Sequence, residues 1–85
     1  MKTIEIYTKG YCPYCHMAKQ LLGNKSLEYR EIAIDGDLKL RTEMIKRAGR
    51  KTVPQIFIGD QHVGGFDDLN ALEKSGQLDE LLAAS

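Results

Sequence analysis

The spacing of apolar residues changes at Pro13, and that change restricts what this chain can fold into. Residues 2–8, "KTIEIYT", alternate with Ile4 and Ile6 on one face, the two-residue period of a strand. From Pro13 to Leu22 the spacing becomes helical, with Tyr14, Ala18, Leu21 and Leu22 in one stripe and His16, Lys19 and Gln20 turned away. A strand running directly into a helix predicts layered α/β structure. Glu5 fits poorly in such a strand if both faces are buried, and the sequence offers it no evident partner.

The same alternation continues. Gly23-Asn24 is a helix stop, since both residues tolerate the left-handed conformation. "EYREIAI" (28–34) returns to strand character, and Asp35-Gly36-Asp37 is turn chemistry that can cap a following helix. That helix spans 38–48, with Leu40, Met44, Ile45 and Ala48 as its apolar stripe and Gly49 at its end. Residues 54–65 read as a hairpin about Gly59-Asp60. Asp67 or Asp68 can cap a helix bearing Leu69 and Leu72, Ser75-Gly76 breaks it, and Leu78, Leu81 and Leu82 pack a last turn or two. The order is β-α-β-α-β-β-α. A parallel first crossover and an antiparallel final hairpin predict a mixed sheet with helices on both faces. Residues 1–85 have room for one core, hence one domain.

Composition removes several function classes. Twelve basic and twelve acidic residues cancel, and nothing in that balance suggests nucleic acid or an anionic membrane as a partner. Apolar runs are far shorter than the ~20 residues of a membrane span. "MKTIEIYTKG" lacks the apolar stretch of a signal peptide, and two cysteines cannot make a multi-bridge secreted framework. Both points place the chain in a reducing cytoplasm.

Both cysteines lie in "YTKGYCPYCHMAKQLLGNK", residues 7–25. Cys12-Pro13-Tyr14-Cys15-His16 matches the spacing of haem attachment, but that chemistry normally needs export to an oxidising compartment. Structural zinc wants a second ligand pair, and only His16 and His62 remain, so no metal is expected. Two buried structural thiols are the plainer alternative. Pro13 argues against it, because proline favours the first helical position and thereby makes Cys12 the cap. There the N–H groups of Tyr14 and Cys15 and the helix dipole favour a Cys12 thiolate, the nucleophilic form. Cys15 lies three residues on, on the same face and one turn deeper, where it can resolve a mixed disulfide on Cys12. The context favours a redox-active dithiol.

Three segments then carry a resemblance. "CPYC" (12–15), "TVPQIFI" (52–58) and "HVGGFDDL" (62–69) stand in the order and spacing of the glutaredoxins, and the whole chain resembles a small bacterial-type dithiol glutaredoxin. The resemblance implies a thioredoxin fold with a four-stranded mixed sheet and a cis bond before Pro54. It implies a glutathione-dependent disulfide oxidoreductase, with glutathione as reducing co-substrate and no tightly bound cofactor. By position, Thr52-Val53-Pro54 would present the Val53 backbone to the cysteinyl part of glutathione beside Cys12. Gly64 and Gly65, with the backbone of Phe66, would offer N–H groups to the γ-glutamyl carboxylate, and Asp67 and Asp68 would accept from its α-amino group. The plainer reading of both aspartates is helix capping. Lys9 resembles a family lysine near the glycyl carboxylate and the thiolate, its alternative being a solvated surface lysine. Tyr14 would line the groove.

The remaining candidates are weaker. Tyr11 reads as loop packing, His16 and His62 as surface residues, and Lys51 and Arg41 as further carboxylate partners or simply solvated cations. By resemblance, partners would be glutathionylated proteins and protein disulfides, a ribonucleotide-reductase disulfide among them, reduced by a monomer. A relative served by thioredoxin reductase would carry a Trp-containing motif near the last helix, and this chain has no Trp. An iron–sulfur carrier would pair one Cys12 from each of two chains. Pro13 and the second cysteine count against that reading.

Overall fold

A computed structural model describes residues 2–83. Its elements are β1 (Ile4–Thr8), α1 (Pro13–Asn24), β2 (Arg30–Ala33), α2 (Leu38–Ala48), β3 (Gln55–Ile58), β4 (Gln61–Gly64), α3 (Phe66–Lys74) and α4 (Gln77–Ala83). The sheet order is β2-β1-β3-β4, parallel between β1 and β2 and antiparallel elsewhere. This is the expected four-stranded mixed sheet with helices on both faces. One element is added to the expected order. Leu78 and Leu82 are buried by a separate helix, α4, set off by Gly76 at φ 78°.

Strand alternation sorts the core into two layers. Ile4, Ile6, Ile56 and Ile58 face one side, packed with Ala18 and Leu22 of α1, Leu69 of α3, and Leu78 and Leu82 of α4. Tyr7 and Phe57 face the other, packed with Met44 of α2 and with Ile34. Leu40, Ile45 and Ala48, the rest of the α2 stripe, lie against that second cluster.

Glu5 finds its partners on this second face. Arg47 Nη2 reaches its carboxylate at 3.2 Å and Arg30 Nη1 at 3.5 Å. Arg47 also donates to the Tyr7 hydroxyl at 2.9 Å and lies 4.0 Å over the Phe57 ring, while Tyr7 donates to Glu43 at 3.0 Å. Burial raises the Tyr7 pKa, and Glu43 adds to that, against the lowering effect of Arg47. A strand carboxylate with no partner nearby in sequence is thus covered by a helix forty residues on.

Three local expectations need correction. The α1 helix runs through Gly23 and Asn24, and its stop is a Schellman motif with Ser26 left-handed at φ 57°. There Ser26 N–H donates to Gly23 O at 2.9 Å and Leu27 N–H to Leu22 O at 3.0 Å. Tyr14 is 58% exposed and does not belong to the buried stripe, which is Cys15, Ala18 and Leu22. Tyr11 is 96% exposed and packs no loop.

Ile56 is fully buried at the centre of β3. Ile56→Ala should cost about 2–5 kcal/mol, read as a lower urea midpoint with an unchanged slope.

Candidate active site

The register of the sheet assembles the site. Tyr7 on β1 pairs with Gln55 on β3, so the loop leaving β1 toward Cys12 lies beside the loop entering β3 through Val53 and Pro54. The Val53–Pro54 peptide is cis. Cys12 Sγ lies 3.8 Å from the Val53 carbonyl oxygen.

Cys12 is the cap of α1, with extended backbone and Pro13 as the first helical residue. The Cys15 N–H points at Cys12 Sγ at 3.1 Å. The expected second donor, the Tyr14 N–H, makes no such bond. Cys12 and Cys15 are joined as a disulfide, with Cα atoms 5.2 Å apart. Exposure falls from 7% at Cys12 to 1% at Cys15, so the outer sulfur is the one a reagent meets first. Once reduced, Cys12 keeps its place at the positive end of the helix, where an anion is favoured.

A groove that includes Val53, the residue whose carbonyl lies against Cys12, is lined by Tyr14, Arg50, Thr52, Val53, Pro54, Gln55, Gly65, Phe66, Asp67 and Asp68. The expected binding residues are therefore brought together, with one exception. Lys9 lines a separate cleft with Ile34, Asp35, Asp37 and Arg41. Lys51 is exposed and outside the groove, and the cation found there is Arg50.

The far end of the groove is the start of α3. Gly65 caps this helix, which corrects the expectation that Asp67 or Asp68 would. Asp68, at the third helical position, reaches back to accept from the Gly65 N–H at 3.0 Å and pairs with Arg50 at 3.3 Å. Asp67 has no hydrogen-bond or ion-pair partner among the described residues. The first-turn N–H groups of Phe66, Asp67 and Asp68 have no acceptor within the helix, the usual state of a helix start. Gly64 sits at φ 120°, where a Cβ would collide with the Asp68 carboxylate, so the close return of Asp68 requires glycine there.

Sequence reasoning missed Arg50, the Phe66 side chain and Gln55. The Phe66 ring is 6.4 Å from that of Tyr14 and forms one wall with it. Gln55 is buried with its amide bonded to Thr52, and His62, expected at the surface, is partly buried against it. One signal was available: a polar residue opening a strand that is otherwise Ile-Phe-Ile. Lys19 and Thr8 meet Glu31 at 3.1 and 2.7 Å, and the Thr8 hydroxyl, then Lys19, holds that carboxyl below its ordinary value against the opposing effect of burial.

The family model described as Glutaredoxin matches residues 4–63. Glutaredoxin 3 of Escherichia coli K12 is 60% identical over 82 residues, covering 96% of this chain and 99% of its own length. A glutaredoxin of Pseudomonas aeruginosa is 56% identical over 84 residues, covering 99% of this chain and 100% of its own. The solution structure of a Brucella melitensis glutaredoxin superposes with a TM-score of 0.85 at 55% identity, covering 96% of this chain and 89% of that one. A buckwheat glutaredoxin–glutathione complex gives 0.86 at 28% identity, covering 95% and 76%.

Burial, and then the nearby Arg50 charge, lower the His62 pKa, with Asp68 opposing. The folded chain therefore binds a proton at His62 less readily than the unfolded chain, so this contribution to stability is full above about pH 6.5. It is lost as pH falls through the lower, folded value. Urea unfolding should show stability declining from pH 7 to pH 5, with a shallower decline in His62→Gln.

Proposed function

Because the chain belongs to the glutaredoxin family, we propose a specific division of labour for its site residues. The chain is a glutathione-dependent thiol–disulfide oxidoreductase with a redox-active cysteine pair. In our reading Cys12 is the nucleophile and Cys15 the resolving thiol. The observation that carries this is the position of Cys12: its sulfur caps α1 and abuts the Val53 carbonyl at the end of the groove.

In the first route the Cys12 thiolate attacks the glutathione sulfur of a mixed disulfide and the substrate leaves as a thiolate, which takes a proton. A second glutathione thiolate then attacks the glutathione sulfur bound to Cys12. Oxidised glutathione departs and the Cys12 thiolate is restored. In sum, one free glutathione and the mixed disulfide become the substrate thiol and oxidised glutathione, whose other half comes from the mixed disulfide.

In the second route Cys12 attacks a protein disulfide, and the Cys15 thiolate attacks the resulting mixed disulfide at Cys12. The substrate dithiol is released and the Cys12–Cys15 disulfide forms, the state of the pair in this structure. Two glutathiones then reduce it. A ribonucleotide-reductase disulfide is the substrate we favour here, and glutathionylated proteins are the substrates of the first route.

The groove suits glutathione group by group. Val53 would pair its backbone with the cysteinyl residue, and Thr52 and Pro54 would hold that strand-like edge. The open N–H groups at the start of α3 would take the γ-glutamyl carboxylate. Asp67 and Asp68 would accept from the α-amino group, and the Tyr14 and Phe66 rings would flank the ligand. Lys9, from its separate cleft, would contribute only a long-range positive charge toward the glycyl carboxylate. We further read residues 1–85 as one domain acting as a cytoplasmic monomer. No described helix is long and apolar enough to cross a membrane.

Steady-state reduction of a glutathione mixed disulfide tests this. NADPH oxidation is followed with glutathione and glutathione reductase, or with thioredoxin reductase alone. Turnover is expected only with glutathione. Cys15→Ser should keep mixed-disulfide reduction and lose reduction of protein disulfides, and Cys12→Ser should lose both. Activity surviving in Cys12→Ser would remove the nucleophile assignment.

A further inference from the structure

Gln55 is 1% exposed, yet its side chain carries a chain of polar contacts toward Cys12. Its Nε2 donates to the Thr52 carbonyl at 3.0 Å and to Thr52 Oγ1 at 3.3 Å. Its Oε1 lies 2.7 Å from His62 Nε2. One fixed partner orients the whole chain. A backbone carbonyl only accepts, so the Gln55 nitrogen must face Thr52 and its oxygen must face His62. That oxygen also only accepts, so His62 Nε2 carries a proton whether the ring is neutral or charged. The ring is held in place by Phe57, with centroids 5.0 Å apart.

The consequence passes through one peptide plane. The Thr52–Val53 peptide is planar and trans, so its carbonyl and its N–H point in opposite directions. With the Thr52 oxygen drawn to the buried Gln55 amide, the Val53 N–H is turned away from the interior. Among the described residues it donates to no acceptor within the chain. The Val53 carbonyl faces Cys12 Sγ at 3.8 Å. A residue whose N–H and C=O both lack a backbone partner among the described residues is one unfilled rung of an antiparallel ladder.

We propose that Gln55, supported by His62, is a positioning residue for glutathione exchange, pinning the Thr52 carbonyl so that the Val53 N–H meets the cysteinyl residue of the ligand. The proposal rests on the glutathione reading above and adds to it the groups that aim the rung. Without the Gln55 amide the Thr52 carbonyl loses its partner and the peptide plane is no longer fixed. Cys12, held by α1, keeps its reactivity.

The test compares the whole chain with Gln55→Met, which keeps the length and bulk of the side chain and removes its polar end. Turnover of a glutathionylated peptide is measured with glutathione, glutathione reductase and NADPH. The KM for the peptide should rise about tenfold, as for loss of one to two hydrogen bonds. Both kcat and the alkylation of reduced Cys12 by iodoacetamide should change less than about threefold. An unchanged KM overturns the proposal, and so does an alkylation rate that falls as far as kcat/KM does, which marks a merely structural role. Ring-nitrogen NMR of the wild type above pH 7 supplies a readout independent of the variant's folding. A neutral His62 protonated on Nε2 supports the chain of contacts, and one protonated on Nδ1 overturns it. Wild-type turnover in the same assay separates failure of this proposal from failure of the glutathione reading.

Discussion

The bond from the Cys15 N–H to the Cys12 sulfur is made by a helix start that needs an acceptor, and a sulfur supplies it. A helix leaves its first N–H groups unpaired, and an oxygen-bearing side chain at the cap usually accepts from them. Here the cap is cysteine and the next residue is proline, whose missing N–H removes one orphan donor and whose ring favours the helical φ. The arrangement that begins α1 is therefore the one that favours an anionic Cys12. Structure and chemistry share a single local solution, and Cys15 falls on the inner side of the same turn because of helical spacing.

The sheet then decides what Cys12 faces. β1 and β3 are antiparallel neighbours, with Tyr7 opposite Gln55, so the exit of one strand lies beside the entrance of the other. Val53 and Pro54 occupy that entrance and β4 returns toward Gly64, which brings the start of α3 to the same end of the sheet. Two helix starts and one unpaired backbone residue thus border one groove. The two apolar clusters on either side of the sheet hold these elements in register, and the Arg47 network closes the second face over Glu5.

Much of this was legible in the sequence, because the signals are local. The α2 helix, its Gly49 stop and the Gln55–Gly64 hairpin follow from apolar spacing and turn residues, and the capping role of Cys12 follows from Pro13. What was not legible depends on the tertiary surroundings. Glycine and asparagine can stop a helix, but Leu27 returning to Leu22 moved the stop of α1 to Ser26. Tyr14 fits a helical stripe, but the groove keeps its outer face uncovered. The aspartates at 67 and 68 read as caps, yet a glycine occupies the cap and Asp68 serves it from the third position. Glu5 and Arg50 have partners 25 to 42 and 18 residues away, beyond the reach of any periodic pattern. Pairing over such distances is fixed only when the layers assemble.

The claim on which the rest depends is that the cap of α1 makes Cys12, and not Cys15, the reactive thiol. Alkylation of the fully reduced chain with limiting iodoacetamide at pH 7, followed by peptide mapping, measures it directly. Cys12 should be modified at least about ten times faster than Cys15, as expected of a thiolate-favouring, accessible site beside a sheltered one. Equal rates, or faster modification of Cys15, would contradict it.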